Sequence, residues 1–227
     1  PAIPVQHTKF YRSITEECGT HYDLKDRLFD TFLDPWRQYY CAYFRSMDEP
    51  LADAQINKLA RIAVKLRRQP HDKILGIGWG WGELAFALAS LKPGGSVSGI
   101  TLSENQHAHT KTGVEPTPKA KHIHYELRNY RHQTSQVDEI VLVSMLEHVG
   151  AAHLLSYFAS IARLLCPDGL ALVHSIGVSG TPRRCNRWIN KYICPGRYLP
   201  ALEQVTAAAS QQGLKILDIE ITSGHHE

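Results

Sequence analysis

The chain has no closely spaced cysteine pair. Its five cysteines, Cys18, Cys41, Cys166, Cys185 and Cys194, never reach CxxC spacing. That argues against a zinc ribbon and a disulfide framework, and favours a reducing, cytoplasmic setting. Thirteen histidines are present without an HExxH pattern, so no metal is expected. No apolar run approaches the roughly 20 residues that cross a bilayer, and no signal-peptide pattern stands at the N-terminus. A net charge of +3 is too weak to imply nucleic acid. Repeats and low-complexity segments are lacking, and so is an initial methionine, as expected of a processed, trimmed or partial chain. What remains is ordinary for a soluble globular protein: 227 residues, 43% hydrophobic and 21% charged. That length suits one large domain, or one with an appendage.

From about residue 70, strand and helix patterns alternate. Strands are predicted at 73–78, 96–102, 123–127, 137–144, 170–176 and 214–222. Helices are predicted at 83–91, 103–111, 151–165 and 201–212, and Cys-Pro-Asp-Gly at 166–169 reads as a stop and turn. This alternation predicts an α/β fold with a doubly wound, mostly parallel sheet. Residues 1–70, aromatic-rich at 22–44 and helical from 51 to 68, are expected to form an N-terminal helical cap on a 71–227 α/β domain. Residues 177–200 lack a clean period and read as an insertion loop, a usual form for lids and binding elements.

The most informative stretch is Lys73-Ile-Leu-Gly-Ile-Gly-Trp-Gly-Trp-Gly82, where a strand enters a turn with glycine at every second position and a helix follows. Such spacing lets the backbone turn tightly and lets a ligand press against the main chain. It reads as a nucleotide-type cofactor cradle, with two tryptophans and no carboxylate inside it. Elsewhere, Cys41 read by itself fits a small buried residue, Glu147 a helix-start carboxylate, and His174 a hydrogen-bonded core histidine. Glu147 and His174 nonetheless fall near the carboxyl ends of the fourth and fifth strands, where a doubly wound sheet gathers its ligands. Lys58, Arg61, Lys65 and Arg68 recur at helical spacing as an outward cationic stripe. With Arg183, Arg184, Arg187 and Lys191, that stripe suits peripheral contact with an anionic membrane surface.

Ten segments in order carry a family resemblance: His21-Tyr-Asp, Leu33-Asp-Pro, Tyr39-Tyr-Cys-Ala-Tyr-Phe44, Leu51-Ala-Asp-Ala-Gln55, the glycine turn, Gly99-Ile-Thr-Leu-Ser-Glu-Asn-Gln106, Asn129-Tyr-Arg131, Ser144-Met-Leu-Glu-His-Val-Gly150, His174-Ser-Ile-Gly177 and Ile189-Asn-Lys-Tyr-Ile-Cys-Pro-Gly196. Together, over 21–200, they resemble the cyclopropane-fatty-acyl-phospholipid synthase family of S-adenosylmethionine-dependent methyltransferases. The resemblance implies a Rossmann-like methyltransferase fold and methylene transfer to the double bond of unsaturated phospholipid acyl chains. It implies cofactor binding by Tyr39, Tyr40, Gly76, Gly78, Gly80, Gly82, Thr101, Leu102, Ser103, Gln106, Asn129, Tyr130 and Arg131. It also implies a catalytic group of Cys41, Glu147 and His174 that holds a bicarbonate ion, with the Ile176 N–H as a further donor.

The chain departs from that family at Gly76, where aspartate is usual, at Trp79, where cysteine is usual, and at Asn129, again in place of aspartate. A lost charged hydrogen bond costs about 1.5–3 kcal/mol, so weakened cofactor affinity is expected, and Gly76→Asp is expected to restore it. The closing strand of the sheet and a base-holding tyrosine are also expected to be missing. Alternative readings are a weakened or inactive lipid- or protein-binding module on the same fold, and a small-amine N-methyltransferase.

Overall fold

The computed structural model describes residues 26–67, 69–91, 94–113, 121–192 and 196–222. The His21 motif, Cys18, Arg68, Cys194 and the last five residues lie outside them. A short helix α1 (Asp26–Phe29) and a longer α2 (Leu51–Lys65) precede the sheet domain. Then follow β1 (Lys73–Ile77), α3 (Glu83–Leu91), β2 (Ser96–Thr101), α4 (Glu104–Gly113), β3 (Ile123–Leu127), β4 (Val137–Val143), α5 (Leu154–Leu164) and β5 (Leu165–His174). Residues 177–200 are more than a loop. They carry the two-residue strands β6 (Arg183–Arg184) and β7 (Tyr198–Leu199), paired antiparallel around α6 (Arg187–Tyr192). Helix α7 (Leu202–Gln211) ends the regular structure.

The five long strands pair in the order β3-β2-β1-β4-β5, all parallel. Because β1 is flanked by β2 and β4, the winding reverses there and opens a crevice at the strands' carboxyl ends. Side chains alternate across the sheet. Leu75, Ile77, Ile140 and Leu142 pack with Tyr157, Phe158, Ile161 and Leu164 of α5 on one face. Ile74, Val97 and Val141 meet Ile62 and Leu66 beside α2, and Ala85, Leu88 and Ala89 of α3, on the other. Both faces are covered, which explains the nearly continuous apolar runs of β1 and β4.

Two expectations need correction. The fifth strand starts at Leu165, and Cys166–Gly169 forms a bulge within it: Val137 pairs with Leu165, yet Glu139 pairs with Leu170. The turn chemistry survives there as Asp168 at φ 63°. The sixth strand does not form. Residues 214–222 join no ladder, and Ile216, Leu217, Ile219 and Ile221 are exposed. Leu214 packs on the α5 side of the core, whereas Asp218 and Glu220 pair with Lys65 and Arg61 of α2. The segment is held by side chains, and alternation alone cannot make a strand without a partner edge.

The glycine turn is fixed by packing. Gly76 and Gly99 are register partners on β1 and β2, a patch of sheet with no side chains, and the Trp79 indole lies on it. A Cβ at Gly76 would stand 1.2 Å from Trp79 Cε3, and one at Gly99 would stand 2.8 Å from its Cγ. The two departures read as separate losses are therefore one packing unit, and Gly76→Asp cannot be accommodated while the indole is there. Gly76→Ala is expected to cost roughly 1–3 kcal/mol by overpacking and close to nothing in a Trp79→Ala background. Urea denaturation of the four-protein cycle measures this coupling; equal costs in both backgrounds would refute the shared packing.

Candidate active site

Three loops meet over the carboxyl ends of β1 and β2. The glycine turn is tied to the neighbouring strand, Gly78 and Trp79 N–H both donating to the Ile100 carbonyl at 3.0 and 3.4 Å. Gly78 and Gly80 have φ of +74° and +62°, and a Cβ at Gly80 would meet nothing. After β2, Thr101 donates its hydroxyl to Gln106 Oε1 at 3.0 Å and accepts the Ser103 N–H at 3.2 Å. Ser103 in turn caps α4 by accepting the Gln106 N–H at 3.1 Å. The aromatic segment before α2 supplies the third wall. Gln55 Nε2 donates to the Tyr40 carbonyl at 3.2 Å and Lys58 Nζ to the Tyr39 carbonyl at 3.1 Å. These bonds hold Tyr40 at φ 65°, with the Tyr39 and Tyr40 rings 4.6 Å apart.

These walls enclose one cavity, whose lining includes Tyr39, Tyr40, Gly78, Gly80, Thr101, Leu102, Ser103, Gln106 and Tyr130. Four expected cofactor residues stand outside its lining. Gly76 is covered by the indole. Gly82 faces Tyr125, whose hydroxyl donates to its carbonyl at 3.1 Å and would lie 2.7 Å from any Cβ there. Asn129 turns its Oδ1 to the Arg131 N–H at 3.1 Å, capping the turn Tyr130–His132. Arg131 Nε donates to the Tyr130 hydroxyl at 3.3 Å. The last two hold Tyr130 in place from behind.

Beyond β4 the chain makes a strained exit, Ser144 at φ 52°, fixed by its N–H donating to the His174 carbonyl at 2.8 Å. The one-turn helix Leu146–His148 then presents Glu147, which is 0% exposed. Glu147 Oε1 accepts the Ile176 N–H at 2.8 Å, and Oε2 has no hydrogen-bond partner among the described residues. The Ile176 N–H is thus spent on Glu147 rather than offered to an ion, because the turn puts the carboxyl directly against it. Burial pushes the Glu147 carboxyl above its usual range, against the lowering pull of the Ile176 N–H and the Arg197 charge. Burial raises the Cys41 thiol too, and Lys58, Glu147 and Arg197 all act on it electrostatically. Cys41, Glu147 and the strand end at His174 therefore converge on one region next to the cavity.

Sequence reasoning missed several residues here. Arg197 is buried, its guanidinium 5.2 Å from the centre of the Tyr40 ring. Ser144, Met145 and His148 line the cavity, as do Arg37, Lys58 and Glu83. Lys58 was expected on a solvent-facing stripe, yet it is only 6% exposed. Arg61 and Lys65 are neutralised by Glu220 and Asp218, so α2 offers no free cationic face among the described residues. The presence of Gln55 and Lys58 three apart on the same inward side was the available signal.

The comparisons with known proteins agree with this architecture. A model of the family described as mycolic acid cyclopropane synthetase matches residues 10–227. The cyclopropane-fatty-acyl-phospholipid synthase of Escherichia coli (strain K12) is 40% identical over 189 residues, covering 83% of this chain and 48% of that protein. The chain thus spans about half the length of that relative. The structure of the cyclopropane synthase MmaA2 from Mycobacterium tuberculosis superposes with a TM-score of 0.79 at 32% identity, covering 88% of this chain and 74% of the other. The mycolic acid cyclopropane synthase CmaA1, in a structure complexed with SAH and CTAB, gives a TM-score of 0.84 at 29% identity, covering 93% and 78%. By sequence and by fold, the chain belongs to the mycolic acid cyclopropane synthetase family.

Proposed function

We propose that this chain is the catalytic part of an S-adenosylmethionine-dependent methyltransferase that adds a methylene across the double bond of an unsaturated phospholipid acyl chain. The observation that carries this reading is the convergence of Cys41 and Glu147, beside the end of β5, next to a glycine-turn cavity. The cavity's residues fit the cofactor. Gly80 leaves open space where a side chain would intrude, Thr101 through Gln106 present hydroxyl and amide groups, and Tyr130 offers an aromatic face. Held by these residues, S-adenosylmethionine would supply an electrophilic methyl group to the alkene, and the chemistry would require one proton to be taken up from that carbon.

The role of the chain's own residues is to manage that proton and the cationic charge. An exposed carboxylate beside a carbocation would be alkylated, whereas a neutral carboxyl would not. Burial shifts Glu147 toward its protonated form, in which Oε2 would be a donor. With the Cys41 thiol kept protonated by burial, two neutral donors can hold a small anion such as bicarbonate, which would accept the proton. Tyr40, fixed by Gln55 and backed by Arg197, closes the region against water.

Lipid contact is assigned to α6. Trp188 and Tyr192 on this helix are 60% and 61% exposed, their rings 5.8 Å apart, with Arg187 and Lys191 beside them. Indole and phenol rings flanked by cations suit the headgroup level of an anionic bilayer.

Incubation with S-adenosylmethionine and vesicles of unsaturated phospholipid is expected to raise the acyl mass by about 14 Da, one methylene. An unchanged acyl mass together with methylation of a small amine would replace this reading by the N-methyltransferase one. Glu147→Gln preserves the neutral shape, so its melting temperature is expected to equal or exceed the parent's. The sign follows from the raised carboxyl: its ionisation costs folded-state stability as pH rises from the unfolded value toward the folded one, and glutamine removes that cost. Product formation is expected to fall at least about 10-fold, since the amide replaces a short O–H···O⁻ bond to the anion with a longer and weaker N–H···O⁻ one. Trp188→Ala/Tyr192→Ala is expected to reduce sedimentation with anionic vesicles and leave cofactor binding unchanged; loss of both would refute the assignment of α6.

A further inference from the structure

The end of the cavity nearest α3 carries charge of both signs. Glu83, in the first turn of α3 directly after the glycine turn, and Lys58, on the inward face of α2, both line it. The Tyr39 carbonyl takes one Lys58 N–H, and an ammonium has three. Each of the two perturbs the other electrostatically, yet they do not close into an ion pair with one another among the described residues. A buried amine and a half-buried carboxyl that border the same space without joining leave a gap complementary to a zwitterion. Arg37, at the same end, is committed elsewhere, to Asp30 at 2.8 Å and to His109 at 3.2 Å. The lining also includes Thr101, Ser103, Gln106, Arg128 and Tyr130, a set suited to a nucleoside.

Resting on the cofactor reading above, we propose that Glu83 and Lys58 bind the α-amino and α-carboxylate groups of the cofactor's amino-acid end. Glu83 thereby takes over the anchoring that the indole-covered position 76 lacks. Gly76 needs no carboxylate if one arrives from the next element, seven residues on, and the Trp79 indole can then fill the vacated strand surface. Lys58 faces Asp34, Cys41 and Glu83, and a bound carboxylate would offset more of its desolvation.

The charges facing Glu83 are Asp34 and Arg37 from the segment after α1, Lys58 from α2, and the Tyr125 phenol from β3. Burial pushes Glu83 up to about 7 and Lys58 down to about 8. Below about 7 the protonated Glu83 loses the ammonium, and above about 8 the neutral Lys58 loses the carboxylate. Affinity for a zwitterion is therefore highest between those values.

The test is calorimetric titration with S-adenosylhomocysteine and with 5′-methylthioadenosine, which has the nucleoside but no amino-acid end, from about pH 6 to 8.5. Parent, Glu83→Gln and Lys58→Met proteins are compared, with melting temperatures as a check on folding. The parent is expected to bind S-adenosylhomocysteine best near neutrality. Glu83→Gln is expected to weaken it at least about 10-fold at pH 7.5, as for loss of one charged hydrogen bond, and to abolish the acid limb. Lys58→Met is expected to abolish the alkaline limb. The nucleoside alone should show neither limb and no response to Glu83→Gln. If both ligands weaken together, or if Glu83→Gln leaves the S-adenosylhomocysteine profile intact, the assignment falls while the cofactor reading stands. If the parent binds neither ligand, both fall.

Discussion

The constraint on which the rest depends is the position of β1. It is hydrogen-bonded on both sides, to β2 and β4, and covered on both faces by the two core clusters. A strand so enclosed can release its chain only at the carboxyl end, at the point where the winding reverses. The turn there must be tight, so glycine at φ +74° and +62° follows at Gly78 and Gly80. It must also be anchored, and the Ile100 carbonyl does that. The cavity is thus placed by sheet topology, and its walls are whatever the three neighbouring loops bring to the same opening.

Helix α2 shows how one element serves both packing and chemistry. Its apolar side, through Ile62, joins the core on the α3 face. Gln55 and Lys58 reach from the same inward side to the Tyr40 and Tyr39 carbonyls, and so hold the aromatic wall over the cavity. Surface ion pairs contribute little by themselves, so the pairs from Arg61 and Lys65 to Glu220 and Asp218 matter chiefly for what they remove: an outward positive face. Inside, desolvation makes the remaining charges responsive. Glu83 and Lys58 sit where small changes of environment move their protonation near neutral pH.

The first five strands and their parallel, doubly wound class were legible because burial imposes period two and continuous apolar runs on β1 and β4, whereas the strand order was not. The α5 helix was legible through Leu154, Phe158 and Ile161, which all face the core. Residues 214–222 show the limit of that method. Their alternation is strand-like, but a strand is a pairing, and pairing is a property of the neighbour's edge. Lys58 shows a second limit: helical spacing groups Lys58 with Arg61 and Lys65 but does not say that the first of them turns inward. Gly76 and Trp79 show a third. Read one at a time against a family pattern they are two defects, whereas the register pairing of Gly76 with Gly99 makes them a single indole and its floor.

The insertion after β5 brings the remaining parts of the site together. Its short β6–β7 pair holds the buried Arg197, whose carbonyl accepts the Cys185 N–H at 3.4 Å, and whose guanidinium lies over Tyr40 and acts on Glu147. The helix between those strands carries Trp188 and Tyr192 outward. One segment therefore has a charged root at the buried carboxyl and an aromatic tip in solvent. The same geometry makes Arg197 sensitive to the insertion's position: a shift of β7 would move the guanidinium away from Glu147 and remove its lowering pull on the carboxyl.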